Sequence, residues 1–405
     1  MTDRPSLAAG PAGDGPTRPF ALSAAQERLV AEVRELAAGV LRPLAAAGPP
    51  GRVNRPLVRA LGEHGLLARV VPDHPDPPAG PDPSPSAASA MELCLLREAL
   101  ATESTEAETA LALQGLGGYP IAVGGGAGVR RRWLAEIGAG RAVAAFALSE
   151  PGAGSDAGSL EVRAEPDGDG FRLHGAKTWI SNAPEADVYT LFARTTPGAR
   201  SRGITAFAVP GDAPGVTGQP LELLAAHAIG RLELDGVRAG PDQVLGQLDQ
   251  GFALAMATLD RFRPSVGAFA VGMAQAALEV AVAHAAGRHA FGRPLAEFQA
   301  VAHALAEAAT RTQAARLLVY EAASRYDAGP AAPGVTRAAA MAKLYATETA
   351  QAVVDTCVQV LGARALERGH LLEHLYREVR APRIYEGTSE IQRSIIAREL
   401  FGALP

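Results

Sequence analysis

The chain has 405 residues, enough for two or three domains around a sizeable core. Hydrophobic residues make up 48% and charged residues 20%, ordinary for a globular chain, and a net charge of −5 provides no electrostatic footprint for nucleic acid. The two cysteines, Cys94 and Cys357, lie far apart in apolar helical contexts, which argues against a disulfide framework or a zinc site; no metal is expected.

Residues 1–22 are rich in Pro and Gly and lack an apolar signal core, so a disordered tail and a cytoplasmic location are expected. No apolar run is expected to reach the length of a membrane span. Helical periodicity then begins behind Ser23, a plausible cap, with Leu29, Val30, Val33, Leu36 and Val40 on the apolar side. A second helix is expected over 56–65. The stretch "VVPDHPDPPAGPDPSPSA" is a loop by composition, and "SAMELCLLREALATES" resumes helix. "GGYPIAVGGGAGVRRRWLAEIGAG" reads as a glycine loop feeding another helix; without a following Gly-Lys-Ser/Thr it is no phosphate cradle. Residues 23–141 thus form a helical domain.

The pattern changes near Arg141. "RAVAAFALSE", "SLEVRAE", "FRLHGAKTWIS", "DVYTLFART", "GITAFAVPG" and "RLELDGVRA" are short runs of strand character separated by turn clusters. They predict an all-β domain over 142–248, without helices to cover a parallel sheet. From Gly251 three Ala-rich helical patterns joined by short loops predict an antiparallel bundle, completing a third domain over 249–405. The fold class is α+β.

In "FALSEPGAGSDAGSL", Gly152, Gly154 and Ala157 satisfy the dinucleotide pattern G-x-G-x-x-G/A after a strand. The residues that follow read as a hairpin, so no helix N-terminus is available for a pyrophosphate, and a Rossmann unit is rejected. What remains is a strand end presenting Ser149, Glu150 and Ser155. "KTWIS" places Trp179 and Ser181 at another strand end. An indole beside a small hydroxyl suits an aromatic cofactor ring; taken alone, a half-buried Trp on a β surface is the simpler reading. In "IYEGTSEIQRSIIAREL", Glu386 stands between Tyr385 and Gly387, ahead of a helix capped by Thr388 or Ser389, with Ile391, Ile395 and Leu400 on one side. A carboxylate beside a glycine here does little for stability.

Together, "FALSEPGAGSD", "GAKTWISN", "RHAFGRPLAEFQAV", "VQVLG" and "RIYEGTSEIQ" resemble the acyl-CoA dehydrogenase family in order and spacing, from about residue 23 onward. The resemblance implies an N-terminal helical domain, a middle β-barrel or sandwich and a C-terminal four-helix bundle, with FAD between the last two. It implies that Phe146, Leu148, Ser149 and Ser155 line the isoalloxazine and its linker, that Trp179 stacks near the ring, and that Ser181 hydrogen-bonds near N5. Arg288, Phe291 and Gln299 match the segment that reaches a neighbouring subunit's FAD, Gln359 and Gly362 the adenine-side loop, and Thr388 and Glu390 the last cofactor contacts. "LDRFRPSVGA" resembles the acyl-CoA contact segment, with Asp260 and Arg263 facing CoA; Ser155, Tyr385 and Gly387 fall among the substrate contacts.

Glu386 matches the family's base. It would remove the α-proton of a thioester while hydride leaves Cβ for the flavin, its pKa raised by burial. Its backbone N–H and the ribityl 2′-hydroxyl would hold the thioester oxygen, and Gly387 would permit the close approach. The implied partners are an acyl-CoA or acyl-carrier thioester, an electron-transfer flavoprotein and further copies of the chain, as a dimer or a tetramer built as a dimer of dimers. Four departures stand out: the Pro-rich stretch after Val71, Ala363 in place of a second glycine, the variant "AAHAIGRLELDGVRA", and Pro382 close to the base. The alternatives are an oxidase or flavin monooxygenase of the superfamily, and a non-catalytic acyl-thioester-binding protein.

Overall fold

The computed structural model describes residues 21–71 and 89–402; the N-terminal tail and the Pro-rich stretch fall outside them, apart from their last and first residues respectively. Seven helices come first: α1 (Ala24–Leu36), α2 (Arg42–Ala47), α3 (Arg55–Glu63), α4 (Leu66–Val70), α5 (Ala90–Glu103), α6 (Thr105–Gly124) and α7 (Ala127–Gly138). Ser23 caps α1 and forms a reciprocal capping box with Gln26. A π-turn over Ala37–Leu41 then shifts the helical register, which buries Leu41 and leaves Val40 exposed, against the expected apolar side.

The expected glycine loop is mostly helix. α6 runs to Gly124 and contains Pro120. Its glycines serve contact: a Cβ on Gly117 would lie 2.7 Å from the Ala145 nitrogen, and one on Gly118 2.8 Å from a Val71 methyl. The α6 backbone therefore lies directly against the first strand. Gln114 of α6 reinforces this, donating to the Ala142 carbonyl at 2.9 Å and accepting from the Ala144 N–H at 2.6 Å.

The middle segment contains β1 (Ala144–Ala147), β2 (Arg163–Asp167), β3 (Gly170–Ser181), β4 (Val188–Arg194), β5 (Ile204–Pro210), β6 (Val216–Pro220), β7 (Ile229–Ala239) and β8 (Val244–Leu245). The sheet follows the order β6-β7-β3-β2-β4-β5-β8, with β1 parallel to β4. β2 and β3 form the antiparallel hairpin expected after "PGAGSD", preceded by no more than a single 3-10 turn. β6 and β8 carry no sequence signal, being short and partly exposed. No α-helix lies within 142–248, as expected; the helical cover comes from the N-terminal domain, for β4 is buried along nearly its whole length and Thr190 Oγ1 on it donates to the Gly117 carbonyl of α6 at 2.7 Å.

After a short hairpin of β9 (His289–Ala290) and β10 (Arg293–Pro294), which follows α8 (Gly251–Gly287), come α9 (Gln299–Ala328), α10 (Val335–Leu361), α11 (Leu371–Glu378) and α12 (Ser389–Phe401). α8, α9 and α10 pack on one another through a mainly alanine interface joined by α5 residues Ala90, Cys94 and Ala101, while α12 lies against α10. α8 corrects the expectation about apolar runs: by length and composition it could span a membrane, but 67% of its apolar window is buried in the protein, as in a core helix. The last helix buries Ser389, Gln392 and Ile395, whereas Leu400 is exposed.

Candidate active site

The strand ends named by "FALSE" and "KTWIS" meet. The Thr178 N–H donates to the Ser149 carbonyl at 3.1 Å. Beneath them Lys177 is buried and donates to the Leu148 carbonyl at 2.9 Å and to Glu150 Oε1 at 2.8 Å. Glu150 also accepts from the Glu161 and Val162 N–H groups. Burial lowers the Lys177 pKa to about 8 against the pull of Glu150. This ion pair anchors the glycine motif to β3.

β3 bulges between Lys177 and Ile180. Trp179 occupies the bulge at φ +59°, a backbone state that side chains rarely adopt, and its residue surface is 57% exposed. It is not the half-buried β-surface Trp of the simpler reading: the bulge turns the indole outward. Asn182, also at positive φ, fixes the next turn by donating to the Ala144 carbonyl at 2.8 Å. Ser181 ends β3, half-buried; Leu148 is buried, Phe146 and Ser149 are half-buried, and the Phe146 ring packs at a tilt against Phe192, centroids 4.9 Å apart. Ser155 is exposed, and added Cβ atoms on Gly152 and Gly154 would meet nothing within 4 Å. An open indole face, neighbouring hydroxyls and a bare glycine loop fit a planar, phosphate-bearing cofactor such as FAD.

The second half of the site is the turn before α12. Glu386 (φ +53°) and Gly387 (φ +92°) are both left-handed. Thr388 caps α12 by accepting from the Ile391 N–H at 3.3 Å. Glu386 is half-buried, and its Oε2 is inaccessible and has no hydrogen-bond partner among the described residues. Burial pushes its pKa above the ordinary value, opposed by Arg97, Lys343 and Arg263. An unpartnered, desolvated carboxylate is the right state for a base. Burial likewise raises the Tyr385 phenol well above its ordinary value.

Arg97 was invisible in the sequence. It is buried on α5, where it pairs with Glu108 of α6 and donates to Ser265 Oγ of α8 at 2.7 Å. Nothing in "LLREALATES" separates it from a surface arginine; only the packing of three helices brings it toward Glu386. Arg263, expected to face CoA, also contacts the turn that carries Glu386. It is buried, donates to the Glu386 carbonyl at 3.3 Å and pairs with Asp260 at 2.7 Å, so it supports the Glu386 turn. Asp260 is partly buried and accepts from Thr336 Oγ1 at 2.8 Å.

The remaining predicted contacts stand apart from this centre within the chain. Arg288 caps the end of α8, Phe291 tips the β9–β10 hairpin at 95% exposure, and Gln299 opens α9; all three are exposed. Gln359 near the end of α10, Gly362 just after it (φ +67°) and Glu390 on α12 are exposed too. Cys94 and Cys357 are both free and buried.

Models of the acyl-CoA dehydrogenase N-terminal, middle and C-terminal domains match residues 23–141, 145–237 and 249–401. A cyclohexane-1-carbonyl-CoA dehydrogenase of Geobacter metallireducens is 34% identical over 92% of this chain and 97% of its own length. The structure of butyryl-CoA dehydrogenase from Megasphaera elsdenii is 29% identical, with a TM-score of 0.86 over 94% of this chain and 99% of that one. PigA, solved with FAD and proline, is 25% identical with a TM-score of 0.87 over the same shares. The chain belongs to the acyl-CoA dehydrogenase family.

Proposed function

We propose that this chain is an FAD-dependent dehydrogenase that desaturates an acyl-thioester at Cα–Cβ, with Glu386 as the base. The single observation that carries this reading is the desolvated, unpartnered Glu386 Oε2 on a left-handed turn. FAD is the cofactor; when bound it accepts the hydride leaving Cβ. Glu386 takes the α-proton, and its N–H is the chain's donor to the thioester oxygen as negative charge develops there. Trp179 and Ser181 form one wall for the ring, with Ser149 and Leu148 beside them. Arg263, Lys343 and Arg97 hold positive charge behind the base.

The carrier is CoA or an acyl carrier protein and the electron acceptor an electron-transfer flavoprotein; the family resemblance supports these assignments. An oligomer, a dimer or a dimer of dimers, is supported by the exposed Arg288, Phe291 and Gln299 around one short hairpin. The test is an anaerobic screen of acyl-CoA esters that follows bleaching of the flavin band. Wild-type protein bleaches with at least one ester. Glu386→Gln keeps FAD and binds the same ester but bleaches slower by several orders of magnitude. A Glu386→Gln protein that bleaches at the wild-type rate overturns the reading.

A further inference from the structure

The chain has only two lysines, Lys177 and Lys343, among 38 basic residues. Both are fully buried, and both donate to backbone carbonyls of site loops. Lys177 is explained by its ion pair with Glu150. Lys343, in the middle of α10, has no ion pair among the described residues. Its Nζ donates to the Gly387 carbonyl at 2.8 Å.

Further donors converge on the same turn. Gln392 Nε2, buried on α12, lies 2.9 Å from the Gly387 carbonyl and 3.1 Å from that of Glu386. Arg263 on α8 reaches the Glu386 carbonyl. The φ of +92° at Gly387 calls for glycine, and a Cβ there would come within 2.8 Å of Gln392 Nε2 and displace that donor. Five residues along α10, Glu348 accepts from Ser389 Oγ at 2.5 Å and from Arg383 at 2.8 Å, gripping the chain on both sides of the base. Three helices thus hold a turn whose first residue carries a Cβ in a left-handed conformation. Unsupported, Glu386 would relax to negative φ and swing its carboxylate and N–H away together.

We propose that Lys343, with Gln392, is a positioning residue: the pair clamps the Glu386–Gly387 carbonyls and so aims the base and its N–H at the substrate. This rests on Glu386 being the base. Lys343 suits the task because a compact ammonium fits a closed site where a planar guanidinium would need room for its fork. The charged groups facing Glu386 are Arg97 from α5, Arg263 from α8 and Lys343 from α10, with the Tyr385 phenol beside it.

The experiment uses the FAD-loaded protein and the variants Lys343→Met and Gln392→Leu. Both are expected to retain FAD and half-saturating ester concentration while flavin reduction slows by about a hundredfold, the scale of a misplaced reacting group. In Lys343→Met the rise of rate with pH also moves to higher pH, because a cation facing Glu386 is gone. Backbone amide exchange over 384–392, measured in FAD-free protein, quickens in both variants. Wild-type rates, pH profile and exchange in both would overturn the clamp. Glu386→Gln run in parallel separates the two ideas: fast reduction there removes the base assignment, while the exchange result still judges the clamp. If Lys343→Met does not fold, Gln392→Leu alone decides.

Discussion

Lys177 Nζ lies 2.8 Å from Glu150 Oε1, and this buried pair ties the glycine motif to the strand that carries Trp179. Removing one partner leaves the other charge buried and alone. Lys177→Met should therefore cost about 3–5 kcal/mol. Adding Glu150→Gln should recover about 1–3 kcal/mol of that loss, since the amide oxygen still accepts an N–H. Denaturant unfolding of the two single variants and the double variant checks this; additive costs would mean that the pair contributes no coupling.

Glu386 should weaken the fold it serves. Burial raises its pKa above the ordinary 4.5, so the native state holds this proton where the unfolded chain has released it. With more protons bound in the native state, stability falls as pH rises from 4.5 through the folded pKa. Glu386→Gln should flatten that fall and stabilise FAD-free protein at neutral pH, by about 0.5–2 kcal/mol if it behaves like other relieved active-site charges. Flavin reduction in the wild type should rise with pH over the same window, as the carboxylate becomes free to accept a proton. Melting curves and stopped-flow rates across pH test both halves; a Glu386→Gln protein less stable than wild type at neutral pH would refute the first.

Trp179 predicts a different signature. Because it is 57% exposed, Trp179→Ala opens no cavity in the FAD-free chain. Stability without FAD should change by less than about 0.5 kcal/mol. FAD affinity should drop by about tenfold through lost stacking. Titration of FAD-free protein, followed by flavin fluorescence, reads the second quantity. Unchanged affinity would make Trp179 a bystander.

Cofactor retention and assembly should be linked through the β9–β10 hairpin. Arg288 there is exposed, as a guanidinium meant for a neighbour's pyrophosphate would be, and Phe291 is almost wholly bare. Arg288→Ala should weaken FAD binding and oligomer formation together, and excess FAD should favour the oligomer. Sedimentation with and without FAD tests this. An active, FAD-saturated monomer at working concentration would sink it.

Much of the architecture could be read in residue order. Period-2 runs between turn clusters marked six strands, and Ala-rich helical patterns marked the bundle, because local periodicity reflects which side of an element meets the core. The strands missed, β6 and β8 of the middle sheet and the β9–β10 hairpin, were short and mostly partly exposed, so they lacked that signature. The glycines of α6 misled for a tertiary reason: they look like loop formers, yet they are small because β1 and Val71 press against the helix backbone. The hairpin after "PGAGSD" was legible, since the turn residues in "PDGDG" are local signals.

The site divides the same way. Sequence alone determined which residues carry function-like chemistry: the carboxylate beside a glycine at 386–387, the Trp at 179, a capping hydroxyl at 388 or 389. These are properties of neighbours along the chain, where spacing is covalent. Tertiary structure decided everything that depends on burial. It buried Arg97, Arg263 and Lys343, three cations from three helices, behind one carboxylate. It rotated Trp179 outward on a bulge and placed Gln392 inside the protein on a helix expected to bury Leu400. A side chain's pKa and reach are set by the dielectric and the partners around it, and most of those come from segments distant along the chain.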